Sequence, residues 1–346
     1  MLLSTFLGID YPTWWFLLVG AVFSGYAILD GFDLGAGAWH LFFRKEKSRR
    51  IALNAVGPVW DGNEVWLVIG GGALFAGFPV MYASLLSSMY IPFMLFLACL
   101  IFRAVSIEFR SKEPMLWWRR MWDISYSVSS ILLALLLGIV LGNVLQGIAI
   151  GPNFEFVGSW LTFFNPYAFL VALTTLSLFM MHGAIYLTMK TEGRLFTKVT
   201  LLLRNAIIFF MIMLGLTTMY TLIYIPHLSD QFKAQPWLFA LPVLTFLAVA
   251  NIPRLASKRK YLQAFIFSSA SVSLLLLLVA IELYPVLLLS TVDATYNITV
   301  YNAASSDHSL SIMLRMAAVG IPLVFAYTWF VYSTFWGKVE LDEMSY

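Results

Sequence analysis

The sequence predicts an all-α, polytopic membrane protein with about nine transmembrane helices. Of its 346 residues, 61% are hydrophobic and 11% are charged, whereas a soluble domain has about 45–50% apolar and about 25% charged residues. The long apolar runs do not alternate with polar residues in the manner of a membrane β-strand. A soluble fold of this composition would expose apolar surface and aggregate, so we exclude soluble enzymes and binding domains.

Apolar runs of about 20 residues are long enough to cross a bilayer as helices. The predicted spans are residues 12–40, 54–75, 79–109, 121–150, 165–189, 201–224, 236–252, 261–283 and 312–336. The first run is too long for a signal peptide, and we expect it to be retained as a span. The seventh span is short and contains Pro242, so we expect it to be kinked or tilted.

Most of the 21 lysines and arginines lie in loops that follow the odd-numbered spans. Basic residues concentrate in the cytoplasmic loops of membrane proteins. This pattern predicts an amino terminus outside and a carboxyl terminus in the cytoplasm. Lys233 and Arg315 are exceptions near outer segments, and Arg103 lies inside the third span.

Ionisable residues within the first three spans form the candidate site. They are Asp30, Asp33, Asp61, Glu64, Arg103 and Glu108. A charged side chain inside a membrane helix costs roughly 2.5–3.5 kcal/mol on insertion scales, and it usually marks a function. Each acidic pair of the first two spans has a three-residue spacing and so shares a helix face. By the helical rise, Asp61 lies roughly 16 Å above the basic loop that ends at Arg50.

These residues allow two interpretations. Carboxyl groups that enter the membrane from the cytoplasmic side can relay protons through water. Alternatively, Arg103 pairs with Asp61, Glu64 or an aspartate of the first span and fixes the helix packing. We favour a function for the group, because four acids facing one deep arginine leave charge that must be protonated, hydrated or paired with a partner subunit.

Histidine and cysteine usage restricts the cofactors that this chain can hold. The single Cys99 excludes a disulfide framework or a multi-cysteine metal site within the chain. Haem in a membrane bundle usually needs axial His or Met ligands. Only His182 lies deep in a span, since His40 ends the first span and His227 and His308 lie in outer segments. We expect His182 to be a hydrogen-bonded core residue and expect no metal site here.

Trp60 and Trp66 flank the acidic pair of the second span. A tryptophan can pack against a quinone ring, although in membrane helices it more often fills the core or lies at the interface. Trp60 is the stronger quinone candidate of the two. Glu108 and Asp123 lie near the cytoplasmic ends of their spans, and the simplest expectation is that both are surface residues.

The same segments resemble subunit II of the cytochrome bd-type quinol oxidases. The resemblance is carried by GYAILDGFDLGAG at 25–37, NAVGPVWDGNEVWL at 54–67 and FRAVSIEFRSK at 102–112. It continues through the strings MWD, GNVLQG, HGAIYLTMKTEG and NAASSDHSL. The matching strings keep the family's order over nearly the whole chain.

The resemblance implies a single membrane domain, 1–346, built as two four-helix bundles plus one peripheral helix. The first bundle would span about 12–150, the second about 160–284, and the last helix about 312–336. The implied partners are a haem-bearing subunit I and small accessory subunits in the bacterial cytoplasmic membrane, together with lipid and quinol. The implied complex oxidises a quinol and reduces dioxygen to water, and no nucleic acid takes part.

The resemblance also assigns cofactors and residue roles. Subunit I of this family holds haem b and haem d, so the present chain is expected to be inert alone. In some members subunit II binds a structural quinone and contributes a proton channel. Carried over by motif, Asp61 and the two aspartates of DGFD are proton-path residues. Trp60 and Arg103 match positions near the quinone or the channel.

Two other hypotheses remain open. A secondary transporter or proton channel with an intramembrane acidic site would show broken helices in matching halves, and it would purify without a haem-bearing partner. A purely structural assembly subunit predicts that Asp61→Asn leaves oxygen reduction intact in the assembled complex.

Overall fold

The computed structural model describes residues 5–341, which are mostly helical. The helices of the first half are α1 (Tyr11–Trp39), α2 (Glu46–Val56), α3 (Trp60–Gly77), α4 (Pro79–Ser88), α5 (Tyr90–Phe109) and α6 (Leu116–Gln146). Those of the second half are α7 (Pro166–Lys190), α8 (Gly193–Tyr224), α9 (Asp230–Ala234), α10 (Ala240–Ser257), α11 (Tyr261–Leu283) and α12 (Asp307–Thr334).

Eight helices within residues 5–341 are long and apolar enough to cross a membrane. A ninth candidate is the pair formed by α3 and α4, which is bent by 119°. The predicted all-α, polytopic membrane fold is confirmed. The predicted bounds of the eighth span are those of α11, and the first and fifth spans differ from α1 and α7 by one residue at each end.

The second predicted span, 54–75, is wrong because the chain breaks inside it. Helix α2 ends before Gly57, and α3 begins only at Trp60. Pro58 lies in the gap, where it has no N–H to donate to a continuing helix. Asp61 therefore lies in the first turn of α3, and the depth of about 16 Å expected from one straight helix does not hold.

The third predicted span, 79–109, is also interrupted. Helix α4 ends at Ser88 and α5 begins at Tyr90. A continuous helix would need an N–H from Pro92 to the carbonyl of Ser88, and proline has none. Helix α5 is therefore a separate helix that follows the bent α3–α4 pair.

Four later helices, α6, α8, α10 and α12, differ from prediction in their bounds by several residues. Helix α8 begins eight residues before the predicted start at 201. It includes Lys198 and Arg204, whose long apolar stems favour helix while their charges reach water. The proline inside α10 is Pro253, near the carboxyl end of the helix, and Pro242 lies in its first turn.

Helix α1 lies at the centre of the packing and contacts α3, α6, α7, α11 and α12. Its approach to α7 depends on two glycines. A Cβ on Gly35 would lie 1.8 Å from the carbonyl oxygen of Phe179, and a Cβ on Gly183 would lie 2.5 Å from the amide nitrogen of Ala36. Small residues let membrane helices approach this closely. Helix α12, by contrast, is largely exposed.

Short strands lie outside the helices. Strand β1 (Thr5–Phe6) pairs with β2 (Ile9–Asp10), and β3 (Val286–Leu288) pairs with β4 (Ile298–Thr299), both antiparallel. The segment between α11 and α12 also covers the α3–α4 bend. Ser305 donates from its amide to the carbonyl of Gly77 over 2.8 Å and from its hydroxyl to the carbonyl of Ala76 over 2.6 Å.

The contact between α1 and α7 can be tested with Gly35→Ala. The added methyl group meets the backbone of α7, which cannot rotate away, so we expect a loss of about 1–3 kcal/mol in the free energy of unfolding. The midpoint of thermal unfolding of the purified complex measures this effect. Gly20→Ala on the same helix is the control, because a Cβ there meets no atom within 4 Å. Equal midpoints for the two variants would contradict the close approach.

Candidate functional site

A buried cluster of charged side chains joins α1, α3 and α5. In Arg103, Nη2 lies 2.6 Å from Oδ1 of Asp30, and Nη1 lies 3.3 Å from Oε2 of Glu64. Arg103 and Asp30 are fully buried, whereas the Glu64 side chain is 19% exposed. The structure thus brings together three of the predicted site residues, with the ion pairs that the packing interpretation expects.

The cluster continues along α1 to Asp33, one turn beyond Asp30. Nδ2 of Asn63 donates to Oδ2 of Asp33 over 2.7 Å, and the hydroxyl of Tyr332 donates to Oδ1 of Asn63 over 2.9 Å. Asp33 is fully buried and Asn63 is 3% exposed. Oδ2 of Asp30 and Oδ1 of Asp33 have no hydrogen-bond partner among residues 5–341.

Sequence reasoning missed Asn63 and Tyr332 as members of this cluster. Asn63 could have been recognised as a cluster member, because it is a polar residue of the WDGN motif between two acids. Tyr332 carried none, because it lies 269 residues further along the chain on a helix that is otherwise apolar and exposed. Its hydroxyl links the peripheral α12 to the centre of the protein.

The charges of the cluster do not balance. Three carboxyl groups lie near one guanidinium: Asp30 and Glu64 pair with it, and Asp33 bonds to the amide of Asn63 instead. An unpaired charge buried in an apolar interior is strongly unfavourable. At least one of these carboxyl groups can therefore bind a proton while Arg103 stays paired, which is the property that a proton relay requires.

The other predicted acids lie at the margins of the cluster. Asp61 is exposed in the first turn of α3, one turn before Glu64 on the same helix. Glu108 is half-buried near the end of α5. It lies five residues beyond Arg103, which is roughly 7–8 Å along the helix axis.

The two tryptophans of the second motif have different surroundings. Trp60 is 8% exposed and packs among Leu53, Ile107 and Tyr126. Trp66 lines a cavity of about 540 Å³ between α1, α11 and α12. The sequence favoured Trp60 as the quinone candidate. In the structure, Trp66 and not Trp60 lines the open apolar cavity.

A second buried charge cluster lies where α1, α2, α5 and α6 meet. Oδ1 of Asp123 lies 2.5 Å from Nε2 of His40 and 2.6 Å from Nε of Arg110, and its Oδ2 lies 2.8 Å from Nη1 of Arg49. The expectation that Asp123 is a surface residue is wrong, since it is 1% exposed. Helix α6 begins at Leu116, before the predicted start, and so Asp123 lies two turns inside it.

This second cluster extends to the surface through Arg110, which directly follows the last residue of α5. Nη2 of Arg110 lies 2.9 Å from Oε2 of Glu46, and Nη1 of Arg119 lies 3.4 Å from Oε1 of Glu46. Burial opposes the charge of Arg110, but its hydrogen bonds and charge pairing with Asp123 and Glu46 prevail and raise its pKa. The guanidinium stays charged and fixes the end of α5 against α2 and α6.

His182 is confirmed as a hydrogen-bonded core histidine. Its Nδ1 lies 2.6 Å from Oγ of Ser268, its Nε2 lies 3.0 Å from the carbonyl oxygen of Ile28, and its ring stacks on Phe265. Because both ring nitrogens are engaged, His182 does not fit an axial haem ligand. In the described part of the chain, no group of three or more His, Cys, Asp or Glu side chains could hold a metal ion.

The ion pairs of Arg103 can be tested with Arg103→Met. Removing one partner of a buried pair leaves the carboxylates of Asp30 and Glu64 uncompensated, so we expect a loss of about 3–5 kcal/mol in the free energy of unfolding. Thermal unfolding of the purified complex measures it, and adding Asp30→Asn should restore part of the stability.

The matched control for this test is Lys233→Met, which breaks an exposed pair with Asp230. Exposed pairs contribute about 0–1 kcal/mol, so this change should be nearly neutral. If Arg103→Met were no more destabilising than the control, the buried pair would not support the fold.

Comparison with known proteins identifies the family. The sequence profile described as cytochrome bd terminal oxidase subunit II matches residues 11–335. Similar proteins include cytochrome bd-I ubiquinol oxidase subunit 2 of Escherichia coli (strain K12), 30% identical over 97% of this chain and 98% of that protein. Cytochrome bd ubiquinol oxidase subunit 2 of Bacillus subtilis (strain 168) is 32% identical over 95% of this chain and 97% of its own.

A solved structure has the same fold. One chain of the bd oxidase from Geobacillus thermodenitrificans superposes with a TM-score of 0.78, covering 94% of this chain and 98% of the other at 19% identity. The resemblance seen in the sequence motifs is therefore confirmed, and the chain belongs to the cytochrome bd terminal oxidase subunit II family.

Proposed function

We propose that this subunit supports the haem-bearing subunit of a bd-type quinol oxidase and carries protons through the acid cluster of α1, α3 and α5. The observation that carries the proposal is the graded exposure of the acids. Asp61 is exposed, Glu64 is 19% exposed, and Asp30 and Asp33 are fully buried. Such a series leads from the surface into the membrane, as a route for proton uptake must.

The geometry supports a defined order of steps. A proton received at Asp61 passes one helical turn along α3 to Glu64. Arg103 holds Glu64 and Asp30 on one guanidinium, so the proton crosses from α3 to α1 at this arginine. Asp33, one turn nearer the cytoplasmic end of α1 and oriented by Asn63, adds a second carboxyl group beside Asp30. Glu108, near the end of α5, is a further proton-path candidate at the margin of this route.

The redox cofactors fit the partner subunit better than this chain. Haem b and haem d carry electrons from quinol to dioxygen, and haem iron needs axial His, Met, Cys or Tyr ligands. His182 is engaged at both nitrogens, and His40 is held by Asp123. We therefore assign haem b and haem d to subunit I and propose that this chain is not catalytic alone.

The orientation follows from the basic residues. Arginines and lysines cluster beyond the carboxyl ends of α1, α5 and α10 and at the start of α8. The segment 285–310, which covers the α3–α4 bend, contains no lysine or arginine. By the positive-inside rule, we propose that the amino terminus lies outside the bacterial cytoplasmic membrane and the carboxyl terminus lies in the cytoplasm. We also propose that oxidase subunit I is the partner of this chain within that membrane.

We further propose that a structural quinone bound within this subunit occupies the cavity lined by Trp66. The cavity, of about 540 Å³, is walled by α1, α11 and α12, and Ser24 and Thr328 add hydroxyl groups to its apolar lining. A quinone combines a flat conjugated ring and two carbonyl oxygens with an apolar tail, which suits such a site. Trp60 and Arg103 are held in packing and ion pairs, which supports structural roles for them.

The proton route can be tested with Glu64→Gln in the assembled oxidase. The amide cannot carry a proton, so we expect oxygen consumption to fall roughly tenfold or more, while the haem absorption spectrum persists. Glu113→Gln, an identical change at an exposed residue, is the control. Asp61→Asn should have a smaller effect, because water can reach Glu64 directly.

A normal rate of oxygen consumption in Glu64→Gln, with the haem spectrum intact, would favour a purely structural subunit. Loss of the haem spectrum would instead show that Glu64 is needed for assembly. Purification of the chain without a haem-bearing partner would favour the transporter hypothesis.

The quinone cavity can be tested with Gly20→Phe. Gly20 lines the cavity and has free space around its Cα, so the ring fills the cavity without striking the fold. We expect the ratio of extractable quinone to haem in the purified complex to fall. Gly72→Phe, also in open space but outside this cavity, should leave the ratio unchanged. The same ratio in both variants would contradict the assignment.

A further inference from the structure

An open cavity of about 480 Å³ lies between the turn after α1 and the first turns of α8. It is lined by two apolar and two basic side chains: Leu41, Phe42, Arg44 and Lys198. Leu41 is 36% exposed and Phe42 is 49% exposed. Exposed apolar side chains therefore lie directly beside cations, at the end of a membrane-spanning helix.

The cavity is built from fixed parts. Nζ of Lys198 donates to the carbonyl oxygen of Phe42, which joins α8 to the turn after α1. The ring of Phe42 packs edge-on against Trp39 with centroids 5.0 Å apart, and Nε1 of Trp39 donates to the carbonyl oxygen of Met180 over 2.8 Å. A lysine ammonium has three donors, so Lys198 keeps two for a ligand.

The positive charge of the cavity is not neutralised by the protein. Among residues 5–341, the ion pairs include neither Arg44 nor Lys198. Arg194 lies four residues before Lys198 on α8 and shares its face. Arg194 is exposed as well. The cavity and Arg194 together form a basic corner of the protein. Its positive charges have no ion-pair partner in the described residues and can attract an anionic ligand.

The same face of α8 turns apolar beyond its basic end. The face carries an exposed polar residue, Asn205, among its aliphatic side chains. Leu201, Ile208 and Ile212 follow Lys198 along this face at helical spacing. They are 65%, 50% and 52% exposed, respectively. A row of exposed aliphatic side chains on a membrane-spanning helix contacts lipid tails, so the charged corner lies at the head of a lipid-facing groove.

We propose that this corner binds the headgroup phosphate of an anionic phospholipid, with its acyl chains along the apolar row of α8. Basic residues at the end of a membrane-spanning helix attract anionic lipid. The guanidinium of Arg44 suits a phosphate because it can form two parallel hydrogen bonds to it. A phospholipid satisfies both the cations and the apolar row beneath them. This lipid site shares no residue with the proton route or the quinone cavity.

The test compares phosphatidylglycerol with phosphatidylcholine on the purified oxidase complex, and native mass spectrometry counts the lipids retained. The double variant Arg44→Gln with Lys198→Gln removes both charges. A basic residue near the surface contributes roughly a fivefold preference for anionic lipid, so the pair contributes roughly 25-fold. We expect the preference for phosphatidylglycerol to fall by about this factor.

The control is Lys258→Gln with Lys260→Gln, which removes the same charge from exposed residues outside the cavity. It should retain phosphatidylglycerol as the parent complex does. Because Lys198 also bonds to the turn after α1, the single variant Arg44→Gln separates charge from folding. It should lose roughly fivefold, and Arg44→Lys should keep most of the preference.

Retention of phosphatidylglycerol by the double variant at the level of the control would overturn the proposal. Equal loss of both lipids from the double variant and from Arg44→Gln would also overturn it, because an apolar contact rather than phosphate recognition would then hold the lipid. Crosslinking of a small accessory subunit at residue 44, with no lipid retained there, would assign the surface to a protein partner instead.

Discussion

The architecture of this subunit depends on one buried ion pair, between Arg103 of α5 and Asp30 of α1. Neither charge can remain in an apolar interior without the other. The pair therefore fixes the register of α5 relative to α1, although the backbone of α5 packs chiefly on α6. Glu64 of α3 completes the pairing. Asn63, on the adjacent face of α3, contacts Asp33 and receives the hydroxyl of Tyr332 from α12. Four helices are thereby held by a continuous set of polar contacts, while nearly all other contacts between them are apolar and could slide.

Helix α1 combines this polar register with the closest backbone packing in the described chain segments. Gly35 and Gly183 bring α1 and α7 into direct contact two residues beyond Asp33. One turn further on, His40 enters the second charge cluster around Asp123. Two further fixed contacts of α1 thus follow its carboxyl groups on the side of its carboxyl end. The helix cannot rotate or shift without breaking a buried ion pair or a backbone contact.

The sequence predicted the fold class and the members of the acid cluster, because both depend on local signals. Long apolar runs define α11 and α1, and charges within such runs identify Asp30, Glu64 and Arg103 as a group. Hydropathy could not show the break before α3. The break depends on the missing N–H of Pro58 and on the length of α2, not on polarity. Hydropathy also could not show that Asp123 is buried, because its three partners, a histidine and two arginines, come from three different parts of the chain.

The two charge clusters differ in balance, and this difference separates their roles. Around Asp123, two arginines and a histidine face one aspartate, with Glu46 completing the set at the surface. The positively charged side chains there are at least as many as the carboxylates. The cluster therefore fixes helix ends, and its carboxylates can stay ionised. Around Arg103 the acids outnumber the cation, and the excess can be satisfied only by protons, water or a partner. The proposed proton route therefore uses the Arg103 cluster, whose acids are in excess, and not the better-paired cluster around Asp123.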